Sequence, residues 1–350
     1  MTRYRMFWPL VILGLLLVSN LFFTPDFFSI QMKEGHLYGS LIDILHFGAP
    51  LILVSLGMTL VIATGGIDLS VGSVVSISGA LACLHISGVS NQHSVVQVLI
   101  AVGLALAVTA ALGACNGLLV AGAGIQPIIA TLILMVAGRG VAQLITNGQI
   151  ITIDSSPYKI IGGGYVFTLP FSILLVSAVV GLAVLLTRRT ALGLLLESVG
   201  GNAEASRLVG IRSRGLIAMV YIFAAVCAGI AGLMISSNVS SADGNNAGLW
   251  IELDAILAVV IGGTALTGGR FYLAGTVIGA LIIQTLSTTI YTIGVPPETT
   301  LVVKAIVVMI VCLLQSPSFR AKVFRRRALP PNGGGTAGPA ANDVKVKVPA

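Results

Sequence analysis

Asp68, Arg139, Glu252, Asp254 and Lys304 carry charge within or beside long apolar stretches, so their chemistry needs explaining first. A charge at the centre of a membrane helix costs at least about 2.5–3.5 kcal/mol, and each therefore needs a partner or a wet cavity. Glu252 and Asp254 are two positions apart, which puts them on different faces of a helix and makes them a poor acid/base pair. Asp68 follows Gly65-Gly66 and precedes Ser70, a position from which a carboxylate caps the next helix; proton coupling is the second role open to it. Asn116, Gln126, Gln143, Thr146, Asn147 and Gln284 interrupt the apolar stretches without charge. Such groups by default bond between helices, and a minority face a pathway. Asp68, Asn116, Gln126, Arg139, Gln143 and Gln284 are the candidates for a path or gate.

Asp243, Asn245, Asn246, Trp250 and Glu252 form a second group. Carboxylates and amides accept bonds from hydroxyls, and an indole suits a ring face. An interfacial tryptophan beside a solvated loop explains the same residues equally well. No Gly-x-x-x-x-Gly-Lys-Ser/Thr phosphate loop, His-Glu-x-x-His pair or Gly-x-Ser-x-Gly elbow occurs. Cys83, Cys115, Cys227 and Cys312 show no metal spacing and read as small buried hydrophobes. No catalytic residue and no metal ligand is assigned.

The elements that must hold these residues are membrane helices. Of the chain's 350 residues 56% are hydrophobic and 9% charged, with a mean hydropathy of +1.02; a soluble domain carries about 25% charged residues. Stretches near the ~20 residues needed to cross the hydrocarbon occur at 7–23, 48–64, 71–89, 95–121, 126–146, 167–187, 215–237, 251–266, 271–291 and 299–315. The expected fold is an all-α bundle of about ten transmembrane helices. It divides into a membrane domain at 1–318 and a tail at 319–350 that is basic and then disordered, being rich in Pro, Gly and Ala. The apolar run after Arg3 and Arg5 lacks a small-x-small cleavage site and reads as an uncleaved first span.

With the amino terminus inside, the cytoplasmic segments collect most of the Lys and Arg, including Arg188, Arg189, Arg207, Arg212, Arg214, Arg270 and the Arg320–Arg327 cluster. The positive-inside rule then puts both termini in the cytoplasm. The net charge of +7 is explained by orientation, and nucleic acid is not an expected partner. The basic cluster suits anionic lipid headgroups, and topological anchoring is its plainer role. Thr64-Gly65-Gly66 before Gly72 and Gly79 is echoed by Thr267-Gly268-Gly269 before Gly275 and Gly279, the pattern of an internal duplication; glycine richness alone also produces such a match.

The longest cytoplasmic segment, 188–214, contains a short helix: Asn202 caps it, Glu204 favours its first turn, Ala203, Ala205 and Ser206 are small, and Gly210 stops it. From spacing alone an ordinary amphipathic loop is the leading reading. However, Glu204-Ala205-Ser206 with Gly210 resembles the Glu-Ala-Ala-x-x-x-Gly loop that permeases of ATP-binding-cassette (ABC) importers insert into their ATPase subunits. Ser206 in place of the second alanine is a mild departure. The wider Ala191-Leu192-Gly193, Gly200-Gly201-Asn202 and Gly210-Ile211, with Gly66-Ile67-Asp68-Leu69-Ser70-Val71-Gly72 and Ala258 to Gly263, is similar to the ribose-type sugar permeases over nearly all of residues 5–315. Thr131 to Val141 and Asn245 to Trp250 resemble a galactofuranose-type permease.

That resemblance implies a permease subunit in the bacterial inner membrane that moves a monosaccharide such as galactofuranose or ribose. It implies a second permease chain, the same or related, a periplasmic sugar-binding protein, and a separate ABC ATPase subunit that uses ATP and Mg. No cofactor is expected on this chain. Gly200, Gly201, Asn202, Ala203, Glu204, Ala205, Ser206 and Gly210 become the ATPase-coupling loop. Asp243, Asn245, Asn246, Trp250 and Glu252 become candidates for contact with the binding protein or for the sugar's entrance. The alternative is an ion-coupled secondary transporter, with Arg139 and Lys304 as its best titratable groups; a non-transporting scaffold fits the cytoplasmic helix poorly.

Overall fold

A backbone in lipid has to satisfy its own hydrogen bonds, and the apolar runs of this chain do so as helices. The computed structural model describes residues 3–23, 27–33 and 35–294, and beyond them residues 296, 299, 301, 302, 304–306, 309, 310 and 313. The expected tail at 319–350, its basic cluster and part of the expected span at 299–315 lie outside the described residues. The helices are α1 (Arg3–Phe23), α2 (Ser40–Ala63), α3 (Val71–Ser87), α4 (Val95–Gly117, continuing as a π turn at Leu118–Gly122), α5 (Pro127–Ile145), α6 (Ser156–Gly163), α7 (Phe171–Arg189), α8 (Leu192–Gly201), α9 (Ala203–Leu208), α10 (Ser213–Val239), α11 (Ile251–Ile261) and α12 (Leu273–Thr292).

Six of these, α2, α4 with its π turn, α5, α7, α10 and α12, are long and apolar enough to cross a membrane. The chain is a polytopic helical membrane protein. The expected ten crossing helices are not all present at full length among the described residues. With 11 residues, α11 is about 16 Å long, half of the ~30 Å hydrocarbon layer. It is short because Trp250 enters it in the left-handed region, at φ 65°, and Gly263 at φ 88° leaves it.

The centre of the bundle is α10, which packs on α2, α3, α4 and α6. Small residues let the backbones approach: a Cβ at Gly57 would lie 2.7 Å from Ala224 Cα, one at Gly113 2.7 Å from the Tyr221 carbonyl oxygen, and one at Gly117 2.8 Å from Ala218 Cα. The helix α2 is 78% buried over its most apolar window, against 22% for α4, 22% for α5 and 17% for α7. Thus α2 forms the interior, and the other three are left to face lipid or another chain. Cys83 and Cys227 are buried as expected, whereas Cys115 is exposed on the outward side of α4.

Short antiparallel strand pairs tie the loops together. Strands β1 (Gln31–Lys33) and β2 (His36–Tyr38) form one pair, and β4 (Tyr165–Val166) and β5 (Leu169–Pro170) another. Between them in sequence, β3 (Ile151–Thr152) joins β6 (Ser241–Ala242) and pins the loop after α5 to the loop after α10.

Candidate functional site

The segment between α7 and α10 forms a rigid knob. The Asn202 side chain accepts from the Ala205 N–H at 2.9 Å, the N-cap that its residue type favours. At the other end the Ile211 N–H donates to the Ser206 carbonyl and the Gly210 N–H to the Arg207 carbonyl, both at 3.0 Å. With Gly210 at φ 91° this is a Schellman stop, which glycine makes without strain. Ser206 is buried against the body, whereas Glu204 and Ala205 are exposed. Leu208 is 79% and Val209 77% exposed, an apolar tip that water disfavours. Glu204 pairs with Arg207 at 2.6 Å on the open face, where such pairs contribute little.

The knob meets the bundle through a junction of glycines. A Cβ at Gly200 would lie 1.7 Å from the Ala63 carbonyl oxygen and 2.6 Å from the Gly269 nitrogen, so only glycine fits there. A Cβ at the next residue, Gly201, would meet nothing within 4 Å. The turn after α2 and the turn before α12 touch as well, because a Cβ at Gly268 would lie 3.0 Å from Gly65 Cα. The two glycine turns that echo each other in sequence are therefore neighbours in space, and α8 sits on both.

Beyond the first turn the chain runs back into the bundle. Asp68 accepts from the Ser70 N–H at 2.9 Å and from its hydroxyl at 2.6 Å, bracing the turn that leads into α3 rather than capping the helix, whose N-cap is Ser70. Asn116 Nδ2 on α4 donates to Ser70 Oγ at 2.9 Å. All three residues are buried, and Asn116 Oδ1 and the nearby Tyr221 hydroxyl find no hydrogen-bond partner among the described residues. A braced turn and helix gluing account for the bonds that are made, and the capping expected of Asp68 is not among them.

The loop at 240–250 is held by α5. Arg139 Nη1 donates to the Ala247 carbonyl at 2.6 Å and to that of Asn245 at 3.4 Å. Asp243 accepts from the backbone of Asn245 at 2.8 Å and of Asn246 at 3.2 Å, and from Asn246 Nδ2 at 2.8 Å. Partial burial pushes the Asp243 carboxyl upward, but these bonds and the Arg139 charge outweigh it and hold the group below the ordinary carboxylate range. Trp250 is half-exposed, and Glu252 is buried with Oε2 lodged against Gly72, bringing the start of α11 to the start of α3.

Beside this loop opens a cleft of about 420 Å³, lined by Phe47, Pro50 and Leu51 of α2, Ile235 of α10, Asn246, Gly248, Leu249, Ile251, Asp254, and Gln284 and Tyr291 of α12. Asp254 Oδ2 is paired with Lys304 Nζ at 2.6 Å. A neighbouring cavity of about 290 Å³, with His46, Ser172 and Asn238 in its wall, shares Phe47, Pro50 and Ile235.

The expected path residues divide into groups. Asp68 and Asn116 share one buried network, Arg139 latches the loop, and Gln284 lines the cleft with Asn246. Gln126 and Gln143 stand exposed at opposite ends of α5 and join neither group. Sequence reading missed the Asp254–Lys304 pair and the aromatic walls of Phe47 and Tyr291. Opposite charges stranded in apolar helices were the available signal for the pair.

Residues 40–312 match the family described as branched-chain amino acid transport system, permease component. The chain is 47% identical over 323 residues to the galactofuranose transporter permease protein YtfT of Escherichia coli, covering 91% of this chain and 92% of that one. It is 40% identical over 333 residues to the fructose import permease protein FruF of Bifidobacterium longum, with 92% and 91% covered. It is 36% identical over 304 residues to the ribose import permease protein RbsC of E. coli, with 86% and 89% covered. No solved structure matches the chain.

Proposed function

We propose, since the chain belongs to the family of branched-chain amino acid transport system permease components, that it is the membrane-spanning subunit of an ABC importer. Its cargo is a monosaccharide, and it works in the bacterial inner membrane with both termini in the cytoplasm. The names of its relatives, which carry galactofuranose, fructose and ribose, support a sugar as cargo. ATP and Mg are used by a separate ATPase subunit, and a periplasmic binding protein delivers the sugar to a pair of permease chains.

The observation that carries this reading is the knob: a short helix capped at both ends, apolar at its tip, and seated through Gly200 on the ends of two helical hairpins. An ATPase subunit holding the tip at Leu208 and Val209 pushes on α8. The push passes to the turns at 64–66 and 267–269, and so to α2, α11 and α12, whose residues line the cleft. This is rigid-body coupling of a kind common in transporters. The ion-coupled alternative draws no support from the family or from the relatives' names.

The test is copurification from gently solubilised membranes, mass spectrometry of what stays bound, and an ATPase assay on the complex. Recovery of an ATPase stimulated by a sugar-loaded binding protein is the expected result. A chain that purifies alone and transports on an ion gradient would overturn the reading.

A further inference from the structure

The cleft between α2, α11 and α12 joins features that capping and packing do not explain. Its polar wall is made by the amides of Asn246 and Gln284 and the carboxylate of Asp254, and rings from Phe47 and Tyr291 face the same space. Asn246 Nδ2 is taken by Asp243, which leaves its amide oxygen to accept a bond. Among the described residues Gln284 Nε2 makes only a long contact, 3.4 Å, to Thr288 Oγ1, a partner it can trade for a better one. Asp254 brings a carboxylate into the wall, and Lys304 cancels its charge at 2.6 Å. The result is a wall that donates and accepts hydrogen bonds while carrying no net charge.

We propose that this cleft is a transit subsite for one uncharged monosaccharide, read through its hydroxyls by Asn246, Gln284 and Asp254 and through its ring face by Phe47 or Tyr291. The proposal rests on the importer reading and deepens it. Its volume of about 420 Å³ equals about fourteen waters at ~30 Å³ each, ample space for one pyranose or furanose together with some of its water. Hydroxyls pair with amides and carboxylates, and apolar ring faces stack on aromatic side chains. An acidic sugar would place its carboxylate beside Asp254 without a spare cation, because Lys304 is already engaged. Hence the cleft selects neutral sugars. Few strong bonds are available, which suits a step that must release its cargo.

The test uses the full importer in proteoliposomes, with uptake of radiolabelled D-ribose, D-fructose and D-galactose and ATP hydrolysis measured in the same vesicles. For the sugar that the wild type accumulates, Gln284→Leu and Asn246→Leu should each lower the sugar moved per ATP hydrolysed by about tenfold, the effect of losing one or two hydrogen bonds. Gln284→Asn should recover part of the loss. Asn246 is exposed in a loop, so its variant serves if Gln284→Leu fails to insert. Asp254→Asn, which leaves Lys304 unpaired, should make uptake sensitive to D-galacturonate. Unchanged sugar per ATP in both leucine variants, or a parallel fall of uptake and hydrolysis, would overturn the subsite alone. A chain that purifies without an ATPase and takes up sugar on an ion gradient alone would remove the importer reading itself, and this inference with it.

Discussion

The backbone N–H of Gly269 donates to the carbonyl oxygen of Ala63 at 2.9 Å, tying the turn before α12 to the last residue of α2. Gly200 lies against both, so one contact point joins the knob formed by α8 and α9 to two helical hairpins whose other residues line the cleft.

Gly200→Ala should therefore destabilise the folded chain. Its Cβ would fall 1.7 Å from the Ala63 oxygen, a backbone atom with no rotamer to move aside. Overpacking of this kind costs about 1–3 kcal/mol. A lowered midpoint in thermal unfolding of the detergent-solubilised protein checks it; an unchanged midpoint would show that the junction opens without cost.

Gly201→Trp should have the opposite signature. This position is exposed, and a Cβ meets nothing within 4 Å, so the chain folds and inserts as before. The added ring obstructs the knob, and recovery of the ATPase subunit on purification should fall by about tenfold, equivalent to roughly 1.4 kcal/mol of binding. Retention of the ATPase at wild-type levels would take this face out of the interface.

Asn202→Ala removes the side-chain cap at the start of α9, a loss of about 1 kcal/mol for an N-cap. Gly210→Ala puts a Cβ on a residue at φ 91° and should loosen the other end by about 1 kcal/mol. Each predicts roughly fivefold faster amide exchange in α9, with α10 unaffected. Exchange that spreads into α10 would show that the knob and the bundle open together.

Lys304→Met strands the Asp254 carboxylate in the cleft wall. The two side chains are 16% and 23% exposed, so the loss should be smaller than the roughly 3–5 kcal/mol seen for a fully buried pair. Asp254→Asn combined with Lys304→Met should recover most of the stability. Additive effects in that double-mutant cycle would mean that the two residues do not interact.

Much of the architecture was legible before any coordinates because its causes are local. The apolar runs that became α2, α4, α5, α7, α10 and α12 are set by residue type and length. The cap at Asn202 and the stop at Gly210 depend on partners within five residues, so spacing alone revealed them. The length of α11 was misjudged because hydropathy continues smoothly through 251–266. The left-handed residue at Trp250 and the turn at Gly262-Gly263 end the helix for backbone reasons that an apolar count does not register.

What tertiary structure alone decided is which of several equivalent residues does what. Gly200 and Gly201 are identical neighbours in sequence, yet one is locked between Ala63 and Gly269 and the other faces open space. Gln126, Gln143 and Gln284 are the same chemical group in similar helices, and only Gln284 reaches the cleft. Asp254 and Lys304 are fifty residues apart and form an ion pair. Hydropathy and capping are properties of a few consecutive residues, whereas these relationships depend on how α2, α10, α11 and α12 rotate and cross when their small residues pack.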